Sequence, residues 1–428
     1  MGVNNKQRRA AKKKARVRNG PASGPNRGWD PFVPEVSLYD ARSAVVEALS
    51  DIAGDPGAAG ERAERLLRPD GPVPPSLTRD ALSDLLAELT ATVVAHGWLP
   101  SDLAELSARR LGARHLSQLI VLLGAEADRH PPARVAPAWR AELMGLGLGA
   151  AVDLRTVPGL RAALELASCL AGLPPITVLV PAPGRSVSQA AAPSGEDVKV
   201  LARVRSLLAK VESTEYPEEA ELLSAKAQEL ISRHALDRLL AEAGGPRDAS
   251  EPATAQRIWI ETPYVFAKAM LIVAVADANR CRSVVSEELG FSTVVGQDRD
   301  LASVDLLVTS LLVQASSAML RAGRHTDGRG TSRTRSFRQS FLVAYAGRVG
   351  ERLRTAADDA VAGTGRSGEL VPVLRQRAEQ VDAAVDAMFP HQLAKQARIG
   401  NAHGWAAGRA AADLARLDTQ PQVAAAAG

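Results

Sequence analysis

Cysteine is scarce in this chain, and its two cysteines, Cys169 and Cys281, lie far apart in stretches typical of apolar helices or helix ends. A scaffold held by disulfides needs several cysteines, so that class of protein is excluded and a reducing compartment is expected. Long apolar runs are also missing, because the longest, from Ala269 to Ala276, is far shorter than the roughly 20 residues of a membrane-spanning helix. The first residues lack the apolar stretch of a secretory signal. We therefore expect a soluble, cytoplasmic protein with no membrane partner.

The sequence has none of the short motifs that commonly mark catalytic sites. There is no GxxxxGK[ST] phosphate loop, no strand followed by GxGxxG, no HExxH, no CxxC, no G-x-S-x-G and no kinase signature. His96, His115 and His130 are scattered without the spacing of metal ligands, and His391 and His403 are too far apart for a helical ligand pair. We predict no catalytic residue, no metal and no cofactor. An enzyme whose site is assembled from distant residues remains an alternative, since a catalytic triad needs no local motif.

Aromatic residues make up only 4% of the chain, so its hydrophobic content of 46% comes mainly from alanine, leucine and valine. This composition favours helix-rich packing. A length of 428 residues corresponds to two or three folded units at roughly 150 residues per domain. The expected fold class is mostly α, with α+β structure in the C-terminal part.

Acidic residues are absent from the first 20 positions, although the whole chain carries a net charge of +4. Residues 1–28 have little to bury and are predicted to form a disordered basic arm. A Lys or Arg that neutralises a phosphate releases a counterion, which makes the arm a candidate nucleic-acid contact. The arm has no aromatic residue, so its binding should be largely independent of base sequence; a merely solubilising tail is the alternative. Its basic residues are Lys6, Arg8, Arg9, Lys12, Lys13, Lys14, Arg16 and Arg18.

Residues 29–181 carry apolar side chains at helical spacing and are predicted to form a helical N-terminal domain. Trp98 and Trp139 are expected in the core, and Ser101-Asp102 behind Pro100 is typical of a helix start. A stretch rich in Pro, Gly and small residues at 182–195 is predicted to be a linker. The predicted helices are Ala41–Ile52, Glu61–Leu67, Leu77–His96, Leu99–Arg110, His115–Ala127, Ala136–Leu148 and Leu160–Leu170.

Residues 196–243 are predicted to form an αα-hairpin. Apolar residues from Val200 to Val211 repeat at steps of three and four, which marks one face of a helix. A polar break follows, and Pro217 suits the first turn of a second helix, whose start carries Glu218 at the positive end of the dipole. The second helix has its own apolar stripe, so the two helices should pack together and dock on neighbouring elements.

At residues 199–237 this pattern resembles the family called domain of unknown function 2786. The resemblance rests on the Leu-Leu helix flanked by basic residues, the turn rich in Ala, Glu, Ser and Thr, and the runs Glu-Glu-Ala-Glu and Ala-Lys-Ala-Gln-Glu-Leu that lead to Arg233 and His234. The segment from Trp259 to Leu353 is similar to the one that commonly follows this hairpin. The chain differs from the family at Ala235-Leu236, where a glycine is common. The resemblance implies no established activity, ligand or catalytic residue.

Residues 255–358 are predicted to combine helices with a small antiparallel β-hairpin. A strand or entry segment near Ile258 leads into a largely buried helix over Tyr264–Asn279. Two β-branched runs within residues 283–295 flank a short turn and predict the hairpin. The wide apolar face of residues 298–320 then indicates a return to helix.

A second basic cluster follows that helix, in a loop rich in Gly, Ser and Thr where Asp327 is the one acidic residue. Guanidinium groups bind phosphate with two hydrogen bonds and a helix N-terminus adds N–H donors, so this loop–helix junction is a candidate phosphate-binding site. The alternative is a solvated loop whose arginines pair with acidic residues elsewhere. Phe337 and Tyr345 in the next helix are expected in the core. The clustered arginines are Arg321, Arg324, Arg329, Arg333, Arg335 and Arg338, of which the last five join the arm as predicted nucleic-acid-binding residues.

Residues 370–418 are predicted to form C-terminal helices. Gly404, Gly408 and Ala412 recur at steps of four in the second of them, Ala402–Leu417. Small residues at this spacing let another helix approach closely. This helix is therefore expected to dock on a partner helix, and a protein partner could use it.

The leading hypothesis is a non-enzymatic protein that binds nucleic acid or a ribonucleoprotein through the arm and the arginine cluster. RNA is favoured slightly over DNA, because no groove-reading helix stands out. A protein–protein adaptor that uses the hairpin and the small-residue C-terminal helix is the second hypothesis. An enzyme with a dispersed site is the third.

Overall fold

The computed structural model describes residues 36–185, 252–326, 331–391 and 401–415, together with the helical residues 202–204, 206, 230, 231, 233 and 235. The described chain is mostly helical, and its C-terminal part contains a three-stranded antiparallel sheet. The predicted fold class is therefore confirmed. The basic arm, the linker beyond residue 185 and most of the αα-hairpin lie outside the described residues.

The described chain divides into two compact units. The first consists of the described residues up to Leu86 with Val152–Ser168, and the second of Ala87–Ala151 with the described residues from Cys169 onward. These bounds differ from those of the predicted domain at 29–181, because residues of that region bond to the C-terminal part of the chain. Arg109, for example, donates from Nη1 to the Ile260 carbonyl at 2.7 Å.

Seven α-helices lie in the described residues between 36 and 185, and each overlaps one of the predicted helices. They are α1 (Leu38–Gly54), α2 (Ala59–Leu66), α3 (Pro75–Ala95), α4 (Pro100–Arg110), α5 (Ala113–Asp128), α6 (Pro137–Gly145) and α7 (Val157–Ala171). The helices α3, α4 and α6 begin at a proline, whose missing N–H costs nothing in the first turn of a helix. Local sequence thus determines where these helices start.

In the first unit, α1 begins with a reciprocal cap. The Ser37 hydroxyl accepts from the Asp40 N–H at 3.3 Å, and the Asp40 carboxylate accepts from the Ser37 N–H at 2.9 Å. This pair satisfies N–H groups that a helix start leaves without partners. The buried face of α1 follows at helical spacing and consists of Ala41, Val45, Ala48 and Ile52.

In the second unit, Trp98 and Trp139 are fully buried, which confirms their prediction as core residues. The Trp98 indole N–H donates to the Pro174 carbonyl at 2.9 Å, and the Ile176 N–H donates to the His96 carbonyl at the same distance. These bonds hold the turn between α3 and α4 against the segment around residues 174–177. The start of α4 is positioned as a result.

The sheet has the strand order β1–β3–β2, with all pairs antiparallel. Its strands are β1 (Thr254–Trp259), β2 (Arg282–Ser286) and β3 (Phe291–Gly296). The β2–β3 pair is the predicted hairpin, and its turn ends at Gly290, whose φ of 82° suits glycine. The segment predicted as a strand or entry segment is the third strand, β1, which places Trp259 opposite Phe291. Their rings meet edge to face at 5.2 Å.

The C-terminal helices overlap the predicted ones. They are α8 (Val265–Ala278), α9 (Asp298–Arg321), α10 (Thr334–Gly363), α11 (Ser367–Met388) and α12 (Ala402–Asp413). All of them except α11 contribute buried residues to one core, whereas the buried hydrophobic residues of α11 belong to two smaller clusters. Fully buried core residues include Ile272 of α8, Val304 of α9 and Val349 of α10. Val204 and Ile231, two described residues of the predicted αα-hairpin, are buried in the same core. For these residues the expected docking of the hairpin is confirmed.

Helix α12 packs against α10 of the same chain. A Cβ atom on Gly404 would collide with the Phe337 carbonyl, and one on Gly408 would collide with the Phe341 carbonyl. Both glycines therefore permit a close approach between backbones, as their spacing predicts. The small-residue face of α12 is covered by α10.

Among the described residues, one helix, α9, is long and apolar enough to cross a membrane by length and composition. Its buried residues include Val304, Leu307 and Leu311 of the core, which is the pattern of a core helix. The cytoplasmic location stays a prediction.

Candidate nucleic-acid interface

The predicted nucleic-acid-binding residues fall into two groups, and the structure describes part of one. The arm, from Lys6 to Arg18, lies outside the described residues, and so does Arg329. The remaining four lie around the start of α10 and are called here the arginine surface: Arg324, Arg333, Arg335 and Arg338.

Backbone hydrogen bonds hold the two ends of the arginine-bearing loop together. The Arg333 N–H donates to the His325 carbonyl at 2.8 Å, and the His325 N–H donates to the Thr334 hydroxyl at 3.1 Å. Next to these bonds, Thr326 and Ser332 form an antiparallel bridge. The arginines on the two sides of the loop therefore start from neighbouring stretches of backbone.

A ring contact anchors the loop to the core. His325 stacks on Phe337 with ring centroids 3.5 Å apart and an angle of 19° between the planes. Phe337 is buried, and so is Tyr345 two turns further along α10, which confirms both as core residues. The loop is thus attached to a packed helix, which limits how far the arginine backbone positions can move.

The N-terminus of α10 adds a second attraction for anions. Arg333 is its N-cap residue, the helix start has no side-chain cap, and the first turn holds no acidic residue. The first N–H groups of a helix have no partner within the helix, and the dipole makes this end partly positive. Arg335 is exposed in the first turn, and Arg338 is half-buried in the next. Such an arrangement suits phosphate.

Arg324, Arg335 and Arg338 have no carboxylate partner among the described residues. Elsewhere in the second unit, by contrast, Arg348 and Arg409 both pair with Glu351 at 2.9 and 3.0 Å. The alternative of a solvated loop paired with acidic residues is therefore not seen for these three arginines in the described part of the chain. Unpaired guanidinium groups keep their N–H donors for a phosphate.

A buried polar cluster in the second unit was not predicted from the sequence. Asp102 at the start of α4 and Arg257 in β1 form an ion pair in which each side chain is 2% exposed. The Trp259 indole N–H donates to the second Asp102 oxygen at 3.0 Å. The Arg257 guanidinium also donates to the carbonyls of Gly97 and Thr177. The cluster therefore joins α4, the turn before it and the sheet.

One local signal pointed to Asp102, namely its position in a predicted helix start. The Leu99 N–H donates to the Asp102 carboxylate at 3.2 Å, which confirms the capping role. The partner, Arg257, lies 155 positions away in the sequence. No local motif could reveal that pairing.

Among the described residues, no group of three or more His, Cys, Asp or Glu side chains could hold a metal ion. The acidic residues at the start of α9 have structural partners, because Asp298 accepts from the Thr254 hydroxyl and Asp300 pairs with Arg280 at 2.6 Å.

Cys169 and Cys281 are free thiols. Burial raises the pKa of each thiol above its ordinary value. Since the thiolate is the reactive form, neither thiol is activated as a nucleophile.

Comparison with known proteins finds a family model that matches a short part of the chain. Residues 199–238 match the family model described as "Protein of unknown function (DUF2786)", which confirms the resemblance of the hairpin region. The match ends before Trp259, so the similarity over Trp259–Leu353 stays a prediction. No curated protein and no solved structure matches the chain.

Proposed function

We propose that this protein binds nucleic acid without catalysing a reaction, alone or as part of a ribonucleoprotein. The basic arm from Lys6 to Arg18 supplies a dense positive charge, and the arginine surface supplies a site of defined position. RNA is favoured slightly over DNA, because no helix among the described residues stands out as a groove reader. The cytoplasm is the proposed location.

The observation that supports this proposal is that Arg324, Arg335 and Arg338, beside an uncapped helix start, have no carboxylate partner within the described part of the chain. Their charges are not cancelled by carboxylates among the described residues, so they raise the local potential and attract a polyanion. Between positions 321 and 350 the sequence contains one acidic residue, Asp327. Phosphates would supply the missing negative charge.

The proposed binding is directed at phosphates rather than bases. Phe337, the Phe, Tyr or Trp residue nearest to the arginine surface in the sequence, is buried and covered by His325. It therefore offers no face on which a base could stack, and the arm contains no aromatic residue. Contacts to phosphates position a nucleic acid but carry little sequence information.

The test measures the affinity of the full-length protein for an unstructured single-stranded RNA and for a DNA duplex over a range of salt concentrations. Affinity should fall with salt, with a logarithmic slope of about −0.7 per contacted phosphate on single strands and about −0.9 on the duplex. Changing the eight basic residues of the arm to Gln in the intact chain should weaken binding most. Arg324→Gln/Arg335→Gln should make the slope on single strands shallower by about 1.4, since two contacts are lost.

The matched control is Arg155→Gln/Arg375→Gln, which removes the same charge from two exposed arginines at other places in the chain. The control should keep most of the affinity. If it weakens binding as much as Arg324→Gln/Arg335→Gln, net charge alone accounts for binding and the arginine surface has no specific role. If the unaltered protein binds neither nucleic acid at low salt, the proposed function is wrong.

The protein–protein adaptor, the second hypothesis, would dock a partner on the small-residue face of α12, but α10 of the same chain covers that face.

A further inference from the structure

The second unit contains a cavity of about 730 Å³ that is separate from the arginine surface. Its walls come from the starts of α4 and α6, from strand β1 and from residues 179–181. Small-molecule sites commonly have volumes of roughly 300–1,000 Å³ and mostly apolar walls. The apolar part of this wall includes Leu99, Pro137, Leu179, Val180, Pro181 and Leu301.

The polar part of the wall carries an excess of negative charge. Asp102 and Arg257 both line the cavity, but they are paired with each other and their charges cancel. Two further carboxyl groups line it, those of Glu142 from α6 and Asp298 from the start of α9. An anionic ligand would be repelled there, whereas a cation would be attracted.

Hydrogen bonds to one carboxyl oxygen of Glu142 hold this side chain in place, and its other oxygen accepts none from the described residues. The Ser101 hydroxyl donates to Glu142 Oε2 at 2.7 Å, and the Ser101 N–H donates to the same oxygen at 3.3 Å. No donor among the described residues bonds to Oε1. This oxygen can therefore accept a hydrogen bond from a bound molecule.

Glu142 forms no ion pair with any of the described residues. Burial raises the pKa of Glu142, and the charge of Asp102 adds to this effect, while the bonds from Ser101 and the charge of Arg257 oppose it. A charged carboxyl in an apolar cavity is costly unless a positive group compensates it. Carboxyls in such positions are common in functional sites.

We propose that this cavity binds a small organic cation, with a protonated amine against Glu142 and an apolar or aromatic body between Trp259 and the apolar wall. The cation replaces the solvent that Glu142 loses on burial, and Asp298 adds to the attraction. The site does not depend on nucleic-acid binding, because none of its residues belongs to the arm or to the arginine surface.

The test uses three probes with the same phenylethyl body and different charges: phenethylamine, phenethyl alcohol and hydrocinnamate. Their affinities for the full-length protein are measured by isothermal titration calorimetry near neutral pH. Phenethylamine should bind at least about tenfold more tightly than the alcohol, which corresponds to one compensated charge, and hydrocinnamate should bind most weakly. Equal binding of the three probes, or no binding of any of them, would overturn the proposal.

Two variants locate the site. Glu142→Gln should weaken phenethylamine about tenfold and leave the alcohol unchanged. The same substitution should not lower the free energy of unfolding. The amide of Gln keeps an acceptor oxygen for Ser101, and the substitution removes a charge that is costly to bury. Glu379→Gln, at an exposed position of α11, is the control and should leave all three affinities unchanged.

Ala138→Phe is the second variant, because Ala138 lines the cavity and is exposed, so a larger side chain fits there without disturbing the core. It should abolish binding of the amine and the alcohol alike. An amine preference that survives both Glu142→Gln and Ala138→Phe would show that the amine binds somewhere else, which would overturn the assignment.

Discussion

Arg257 and Asp102 form an ion pair across 155 positions of sequence, and each side chain is only 2% exposed. Removing two charges from water costs several kcal/mol per ion, and this cost is offset only where geometry and further hydrogen bonds are good. The Trp259 indole N–H and the carbonyls of Gly97 and Thr177 supply those bonds. The pair therefore fixes where β1 meets the start of α4.

Neutralising either partner of this pair should destabilise the protein strongly, and neutralising both should cost less than the sum of the two single losses. Asp102→Asn or Arg257→Met alone should lower the free energy of unfolding by about 3–5 kcal/mol, because the other charge stays buried without its partner. The double variant should lose less than the sum of the single losses, by about 1–3 kcal/mol. Urea unfolding of the four proteins measures this difference. Strictly additive losses would contradict a coupled ion pair.

Close packing between α12 and α10 should make Gly404 and Gly408 intolerant of a side chain. Gly404→Ala or Gly408→Ala should each lower the free energy of unfolding by about 1–3 kcal/mol, because the new methyl group meets a backbone carbonyl that cannot move aside easily. Chemical denaturation measures the effect. The control is Gly347→Ala, an exposed position of α10 with open space around it, which should stabilise the protein by about 0.5–1 kcal/mol. Equal effects at the three positions would argue against the packing.

Removing the hydroxyl group of Tyr345 should not destabilise the protein. Tyr345 is 1% exposed, and its hydroxyl has no hydrogen-bond partner among the described residues, so burial raises its pKa and leaves a polar group unsatisfied. Tyr345→Phe should therefore raise the free energy of unfolding by between zero and about 2 kcal/mol.

Ser340, on the same helix, provides the matched comparison for Tyr345. It is equally buried, but its hydroxyl accepts from the Asn401 N–H at 3.0 Å. Ser340→Ala should cost about 1 kcal/mol in thermal or urea unfolding. A Tyr345→Phe variant that loses as much as Ser340→Ala would show that the tyrosine hydroxyl has a partner.

Low pH should weaken the ion pair between Glu351 of α10 and Arg409 of α12. Hydrogen bonds from Arg409 and then Arg348 lower the pKa of Glu351 from 4.5 to about 2. Because the folded-state pKa is the lower one, the stabilisation is complete above about pH 4.5 and is lost as the pH falls towards 2. The side chain is 42% exposed, so solvent screens the interaction and we expect a contribution of only about 0.5–1 kcal/mol.

Glu351→Gln should therefore lower the free energy of unfolding at neutral pH and make it less dependent on pH between about 4.5 and 2. The control is Glu369→Gln, whose partner Arg366 is the N-cap residue of the same helix, α11. This control should not change how α12 is held. Unfolding curves of both variants at several pH values measure the difference, and identical pH profiles for Glu351→Gln and the unaltered protein would contradict the prediction.

The helices and the β2–β3 hairpin were predictable because their signals are local. A helical face repeats every three or four residues, and a hairpin needs two β-branched runs with a turn between them. The same local patterns identified Phe337 and Tyr345 as core residues and gave Gly404 and Gly408 their role in close packing. The identity of the helix that receives α12 was not predictable, since the spacing of small residues describes one surface and not its partner.

Of the two candidate sites, one was predictable from local sequence and the other was not. The arginine surface was visible in the sequence because its members lie within fifteen positions of one another, from Arg324 to Arg338. The cavity that contains Glu142 was not visible, since its walls come from segments between residues 99 and 301. The sequence by itself determined the local elements and the distribution of charge, which depend on neighbours along the chain. Only the tertiary structure decided that Arg257 pairs with Asp102 while Glu142 has no ion-pair partner among the described residues, because burial and charge pairing depend on residues that folding alone brings together.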